Sequence, residues 1–243
     1  MELTGILCGT HAAEVLLSYP DVLGVFMPEI LPSVGFEQRS VYHCYDVWEH
    51  TARAVAAARP DPVLRWTLLL HDLGKPATFT LDEQGRGHFY GHWRESVPLG
   101  AAILDRLRMD NRSKHTILTL VERHDAPLVL SEKSVRRSLS RYGEETLRLL
   151  LEVKRADNLA QAEAYRDRQA LISQFEDLLQ VVLESGECFS LKHLAVKGGD
   201  MLALGLEGPA VGEALRKLLD LVIDEKLPND QGVLLEYAKE KLL

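Results

Sequence analysis

The sequence predicts an all-α protein: one main helical bundle, a C-terminal helical appendage, and at most a small hairpin near residues 78–90. Three observations carry this expectation. Apolar residues recur at helical spacing, as Ile117, Leu120, Val121 and His124 do at i, i+3, i+4 and i+7. Glycine and proline punctuate these stretches at short intervals, which sets helices of ordinary length. Only Thr78-Phe79-Thr80 and His88-Phe89-Tyr90, either side of the turn Asp82-Glu83-Gln84-Gly85, read as strands.

In chain order, residues 11–17 form a short apolar helix stopped by Pro20, and a loop over 27–40 carries Pro28, Pro32 and Gly35. A helix over 43–58 ends before Pro60. The next starts at Asp61-Pro62, an N-cap followed by proline at the first helical position, and runs to about Asp72, where Gly74 and Pro76 stop it. Helices follow over about 92–108, 113–124, 132–142 and 144–165, with Gly143 between the last two. A helix over 167–184 carries Leu171, Ile172, Phe175, Leu178, Leu179 and Val182 on one stripe. After Gly186 come a loop through Gly198-Gly199-Asp200 and helices near 209–224 and 231–242. The expected division is a lead-in over 1–40, a helical domain over 41–186 and a C-terminal unit over 187–243.

The 243 residues, 46% hydrophobic and 26% charged, suit a soluble fold with one large core, or a core and a satellite. No apolar run reaches the ~18–20 residues of a membrane span. Met1-Glu2-Leu3-Thr4-Gly5 lacks the basic and apolar regions of a secretory signal. Cys8, Cys44 and Cys188 are odd in number, far apart and without CxxC spacing, so a reducing cytoplasm fits best. The net charge of −8 disfavours tRNA as a partner held mainly by phosphate neutralisation. Small phosphorylated molecules stay open, because a bound metal reverses the local sign. The oligomeric state is not legible.

The chemistry concentrates in His71-Asp72-Leu73-Gly74-Lys75-Pro76, where an imidazole and a carboxylate end an apolar helix. Both are good ligands for a divalent metal. A short loop joins the helix over 43–58 to the helix over 61–72, so the two pack antiparallel. Counting back across that loop at about 1.5 Å per residue puts His50 level with His71. His43, seven residues earlier on the same predicted helix, lies about 10 Å further along the axis. His50 is therefore the expected ligand, and His43 is left a supporting or substrate-binding part. His92 opens a helix after Gly91, His124 closes one on its apolar face, and Asp157 sits on a buried stripe where a carboxylate needs a partner.

The order His50, His71-Asp72, Asp157 resembles the HD-domain superfamily of metal-dependent phosphohydrolases, and His92 and His124 resemble the extra ligands of its dinuclear members. More closely, four segments resemble the HD region of bacterial CCA-adding tRNA nucleotidyltransferases and poly(A) polymerases. They are Tyr45-Asp46-Val47-Trp48-Glu49-His50-Thr51, the His71–Pro76 segment, Gly87-His88-Phe89-Tyr90-Gly91-His92 and Arg106-Leu107-Arg108-Met109-Asp110-Asn111. The likeness continues through Val135-Arg136-Arg137, Arg155-Ala156-Asp157-Asn158-Leu159, the run from Leu194 to Leu202, and Gly208-Pro209. The nucleotidyltransferase head of those enzymes, with its Gly-Ser motif and paired aspartates, has no counterpart before residue 43. CCA addition is therefore not expected of the chain alone.

The resemblance implies one or two divalent ions (Mn, Fe, Ni, Mg or Zn). His50, His71, Asp72 and Asp157 would hold the first, and Asp72, His92 and His124 the second. Asp72 as bridge and Lys75 as phosphate or nucleophile partner are the expected catalytic residues. His43, Lys75, His88, Arg136 and Arg137 are the expected substrate contacts. The expected activity is hydrolysis of a nucleotide, another phosphomonoester or a cyclic phosphodiester by metal-activated water. The alternative is a tRNA- or RNA-binding protein, or a partner subunit of a separate nucleotidyltransferase.

Overall fold

The computed structural model describes residues 2–243, of which 65% are helical, and its only sheet has two short strands. The all-α expectation holds. In order come α1 (Glu2–Leu7), α2 (Ala12–Ser18), α3 (Pro20–Phe26), a 3-10 turn (Pro28–Ser33), α4 (Val47–Ala57), α5 (Pro62–Leu70) and α6 (Lys75–Thr78). Strands β1 (Thr80–Leu81) and β2 (Gly87–His88) precede α7 (Trp93–Arg106), α8 (Asn111–Arg123) and α9 (Glu132–Leu159), which bends at Gly143. A 3-10 turn (Glu163–Tyr165), α10 (Arg168–Glu184), α11 (Gly198–Ala203), α12 (Pro209–Ile223) and α13 (Gln231–Lys241) complete the chain. The residues group into two compact units, one of residues up to Pro127 with Arg148–Ile172, the other of Leu128–Leu147 with Ser173–Leu243.

The first unit is organised around α5. Asp61 caps it by accepting the Leu64 N–H, and Pro62 occupies a first-turn position where the missing donor costs nothing. Every residue from Leu64 to Leu70 is buried, the mark of a helix enclosed on all sides. Helices α1, α4, α7 and α8 pack on it. Trp48 and Trp66 fill the core, and each indole N–H has a partner, the Leu16 carbonyl and the Thr4 hydroxyl, both at 3.0 Å. The C-terminal end of α5 therefore delivers His71 and Asp72 into the interior.

Local differences from the sequence reading have local causes. Pro20 starts α3 rather than merely ending α2, because its fixed φ suits a first helical turn. Helix α4 begins at Val47, not at residue 43: Asp46 adopts an extended backbone and its carboxylate accepts the Glu49 N–H. The hairpin pairs Thr80 with His88 and Leu81 with Gly87, because Thr78 is drawn into α6 and bonds back to the Gly74 carbonyl. Helix α9 stops at Leu159 rather than 165. There the Asn158 amide turns to the Tyr165 carbonyl, and the Ala162 N–H is taken by Tyr42. An unpredicted helix, α1, occupies the N-terminus.

The second unit has its own core, including Leu194, Val196, Met201, Leu218, Leu234 and Ala238. Pro209 opens α12, and Asp230 caps α13 by accepting the Val233 N–H. At Gly143 the backbone takes φ 73°, a conformation costly for side-chain-bearing residues, and α9 bends there.

Candidate metal centre

Five helices bring His and Asp side chains to one buried place in the first unit. His50 comes from α4, His71 and Asp72 from the end of α5, His92 from the start of α7, His124 from the end of α8 and Asp157 from α9. Two groups share Asp72: His50-His71-Asp72 and Asp72-His92-His124, each with ligand atoms within 4.8 Å of one another. Asp72 faces both ways. Its Oδ2 lies 3.2 Å from His71 Nε2 and 3.6 Å from His50 Nε2, while its Oδ1 lies 3.2 Å from His92 Nε2 and 3.8 Å from His124 Nε2. Asp157 Oδ1 adds a contact of 2.9 Å to His50 Nε2 and 3.7 Å to His71 Nε2.

Backbone carbonyls orient the four rings. Nδ1 of His71 lies 2.7 Å from the Leu68 oxygen, that of His92 3.0 Å from Phe89, that of His124 2.7 Å from Val121 and that of His50 3.4 Å from Ala160. A carbonyl only accepts, so each Nδ1 donates and each Nε2 is left facing inward, toward the carboxylates or the opposite imidazole. The Nε2 of His71 is buried without a hydrogen-bond partner. Buried inward Nε2 atoms beside two carboxylates become, once their protons are displaced, the donor set a cation requires.

The titration behaviour expresses the same demand. Burial works against a charged His71, but Asp72 and Asp157 overcome it and push the pKa up to about 10. Burial likewise opposes ionised carboxylates, yet His71 and Lys75 hold Asp72, and His50 and His71 hold Asp157, well below the usual range. His124 is held near 3 by burial and by the neighbouring His71 and His92 rings. Two anions thus draw a positive charge onto His71, while the His124 ring beside it stays neutral.

His43 lies in the loop before α4, so its distance from His71 is not fixed by helical rise. The loop brings its ring to 5.1 Å from that of His50, and burial with the Lys75 charge lowers its pKa to about 3. Lys75 is buried, with Nζ 2.7 Å from Asp72 Oδ2 and 2.8 Å from Gln38 Oε1. His88 pairs with Asp82 at 3.0 Å and stacks on Tyr90. His43, Lys75 and His88 line a cavity of about 440 Å³ beside Asp72, together with Arg86 and Arg168. Arg136 and Arg137 belong to the second unit, where Arg136 bonds Glu187 and Glu225, and Arg137 bonds Asp224. Sequence reasoning passed over Gln38 and Lys154. Lys154 spans the His124 and Ala126 carbonyls, and burial lowers its pKa to about 8. Gln38 sits in an aperiodic segment, and Lys154, three residues before Asp157 on α9, reads in sequence as an ordinary helix-face lysine.

Comparison with known proteins finds relatives among enzymes named for tRNA. Over 90% of its length the chain is 34% identical to the CC-adding tRNA nucleotidyltransferase of Thermus thermophilus and 32% identical to the A-adding tRNA nucleotidyltransferase of Deinococcus radiodurans. The matched regions are 51% and 52% of those two proteins. Over 79% of its length it is 31% identical to a multifunctional CCA protein of Thioalkalivibrio sulfidiphilus, covering 46% of that protein. The chain spans about half the length of these curated relatives.

These relatives overturn the expectation of a phosphohydrolase. That reading rested on the order of metal-ligating residues, which fixes what a site can hold but not the reaction it serves. They also overturn the argument that net charge disfavours tRNA, since total charge averages over patches of either sign. Finally, residues 100–238, more than half of the chain, match the model of the family tRNA nucleotidyltransferase domain 2. The chain belongs to this family.

Proposed function

We propose that the chain is the helical, tRNA-holding part of a tRNA nucleotidyltransferase, and that nucleotidyl transfer is carried out by a nucleotidyltransferase domain acting with it. One observation carries this. Ninety per cent of the chain is matched by an enzyme named for adding CC, and 90% also by one named for adding A. A segment common to enzymes that add different nucleotides serves what they have in common, and both are named for tRNA.

In this reading the His-Asp centre is an HD-type divalent-metal site that fastens α4, α5, α7, α8 and α9 to one another. His50, His71, Asp72 and Asp157 would hold one ion, and Asp72, His92 and His124 a second. The imidazole-rich set suits Mn, Fe, Ni or Zn better than Mg, which prefers oxygen ligands. A bound ion would supply positive charge to Asp72 and Asp157 and accept the inward lone pairs. Lys75 holds Asp72 from the cavity side.

The test is a gel-shift titration of the purified protein with tRNA lacking its 3′ CCA end. A complex that forms at micromolar protein in low salt and weakens steadily as salt rises is the expected result. No complex at about 50 mM salt and tens of micromolar protein would refute the reading.

A further inference from the structure

A second cavity belongs to the second unit, and none of the residues of the His-Asp centre lines it. A cavity of about 690 Å³ is lined by two helix stripes. On α9 they are Ser134, Arg137, Ser138, Arg141 and Tyr142, at i, i+3, i+4, i+7 and i+8. Arg216 and Asp220 of α12 and its C-cap Asp224 repeat every four residues, with Leu219 and Ile223 buried between them. Stripes of this period usually carry the apolar residues that close a core. On α9 the buried apolar places are held by Val135 and Leu139, and the serine and arginine stripe beside them borders a cavity with an apolar floor and a cationic rim.

The charges are not mutually satisfied. Asp224 is taken by Arg137 Nε at 3.0 Å, with Lys226 and Lys133 at 3.4 and 4.0 Å. Three cations therefore surround one carboxylate. Arg141 and Arg216 make no ion pair or side-chain hydrogen bond among the described residues, and Asp220 alone remains as an opposing charge. In a chain of net charge −8 this is a local reversal of sign. Two guanidinium groups facing one cavity offer planar forks of N–H donors, the geometry that recognises phosphate oxygens.

We propose that this cavity binds a backbone phosphate of RNA between Arg141 and Arg216, with the attached nucleoside over Leu219, Ile223 and Tyr142. The proposal rests on the reading of the chain as a tRNA-holding protein. It adds the place and the two residues.

The test compares the full chain with the double variant Arg141→Ala/Arg216→Ala and the control Lys217→Ala, by fluorescence anisotropy of labelled tRNA at several salt concentrations. Both arginines are exposed, and circular dichroism will confirm that the double variant folds as the parent does. The double variant should bind tRNA at least tenfold more weakly, and its log–log salt slope should fall by about one to two ions. Lys217 is exposed on α12 outside the lining, and its variant should change affinity less than twofold. Parent and double variant binding tRNA alike overturns the cavity site and leaves the tRNA reading intact. A parent that binds no tRNA overturns both. Equal losses in the double variant and in Lys217→Ala would show diffuse charge rather than a site, and overturn it as well.

Discussion

The Nε2 atoms of His92 and His124 face each other across 3.0 Å, while both Nδ1 atoms are committed to backbone carbonyls, Phe89 and Val121. With each ring donating from Nδ1, neither neutral imidazole has a proton to offer the other, so this contact opposes two lone pairs. A shared cation resolves the opposition, and Asp72 Oδ1, 3.2 Å from His92 Nε2, supplies the third donor. On the other side of Asp72, His50 Nε2 donates to Asp157 Oδ1 at 2.9 Å.

The first prediction concerns that cation. Protein purified without chelator should carry transition metal, and chelated protein should gain thermal stability on adding Mn²⁺ or Ni²⁺. Asp72→Ala should abolish the gain entirely, since Asp72 belongs to both groups. His124→Ala should remove only part of it. Chelated parent protein that shows no shift with either ion speaks against the metal assignment.

A second prediction isolates packing between α6 and α7. A Cβ on Gly74 would lie 2.1 Å from the His92 carbonyl oxygen and 2.7 Å from Glu95 Cβ. The Gly74 backbone, φ −80° and ψ −9°, is one that alanine adopts readily. Gly74→Ala should therefore destabilise through steric overlap alone, by about 1–3 kcal/mol, with the helix at His92 pushed outward. Urea unfolding of the two proteins measures it, and an unchanged midpoint would mean that α7 yields without cost.

Arg65 supports the third. This buried side chain donates to the carbonyls of Leu7, Ala58 and Arg59, tying α1 to the turn before α5. Burial lowers its pKa, yet arginine stays charged. Arg65→Met keeps the stem and abandons three acceptors, two of them in buried hydrogen bonds, a loss of about 3 kcal/mol. Amides of α1 should lose hydrogen-exchange protection in the variant, and full retention of that protection contradicts the role.

The fourth is a pH dependence at an ion pair outside the metal centre. The Arg106 guanidinium, with Nη1 2.9 Å from Glu29 Oε2, holds the Glu29 carboxyl below its ordinary value of 4.5. A depressed folded-state pKa stabilises above the unfolded value and loses that contribution as pH falls through the folded one. Glu29→Gln should thus lower Tm by roughly 1–3 °C near pH 7, and the difference should shrink steadily below about pH 4.5. A pH-independent difference would place the effect in packing rather than charge.

Much of this was legible because it is written in local sequence. Asp61-Pro62 announces the start of α5, and the short link from α4 fixes the register that sets the His50 and His71 rings 5.7 Å apart. The place of His43 was not legible. It depends on a loop whose path is set by tertiary contacts, including the Ala162 N–H to Tyr42 bond across the fold. Gln38 was invisible for the same reason: an isolated polar residue in an aperiodic segment gives no sign that it is buried against Lys75. The reaction was misread because a set of ligands is a property of the site, whereas the reaction depends on the partners brought to it.

The central claim is that the chain holds tRNA, and a competition measurement tests it most directly. Labelled tRNA bound to the protein is challenged with unlabelled tRNA or with unstructured single-stranded RNA of equal length, at one fixed salt concentration. A folded-tRNA partner predicts that unlabelled tRNA competes at least tenfold more effectively than the single strand, because phosphate count is equal and only shape differs. Equal competition would reduce the interaction to charge and contradict the claim.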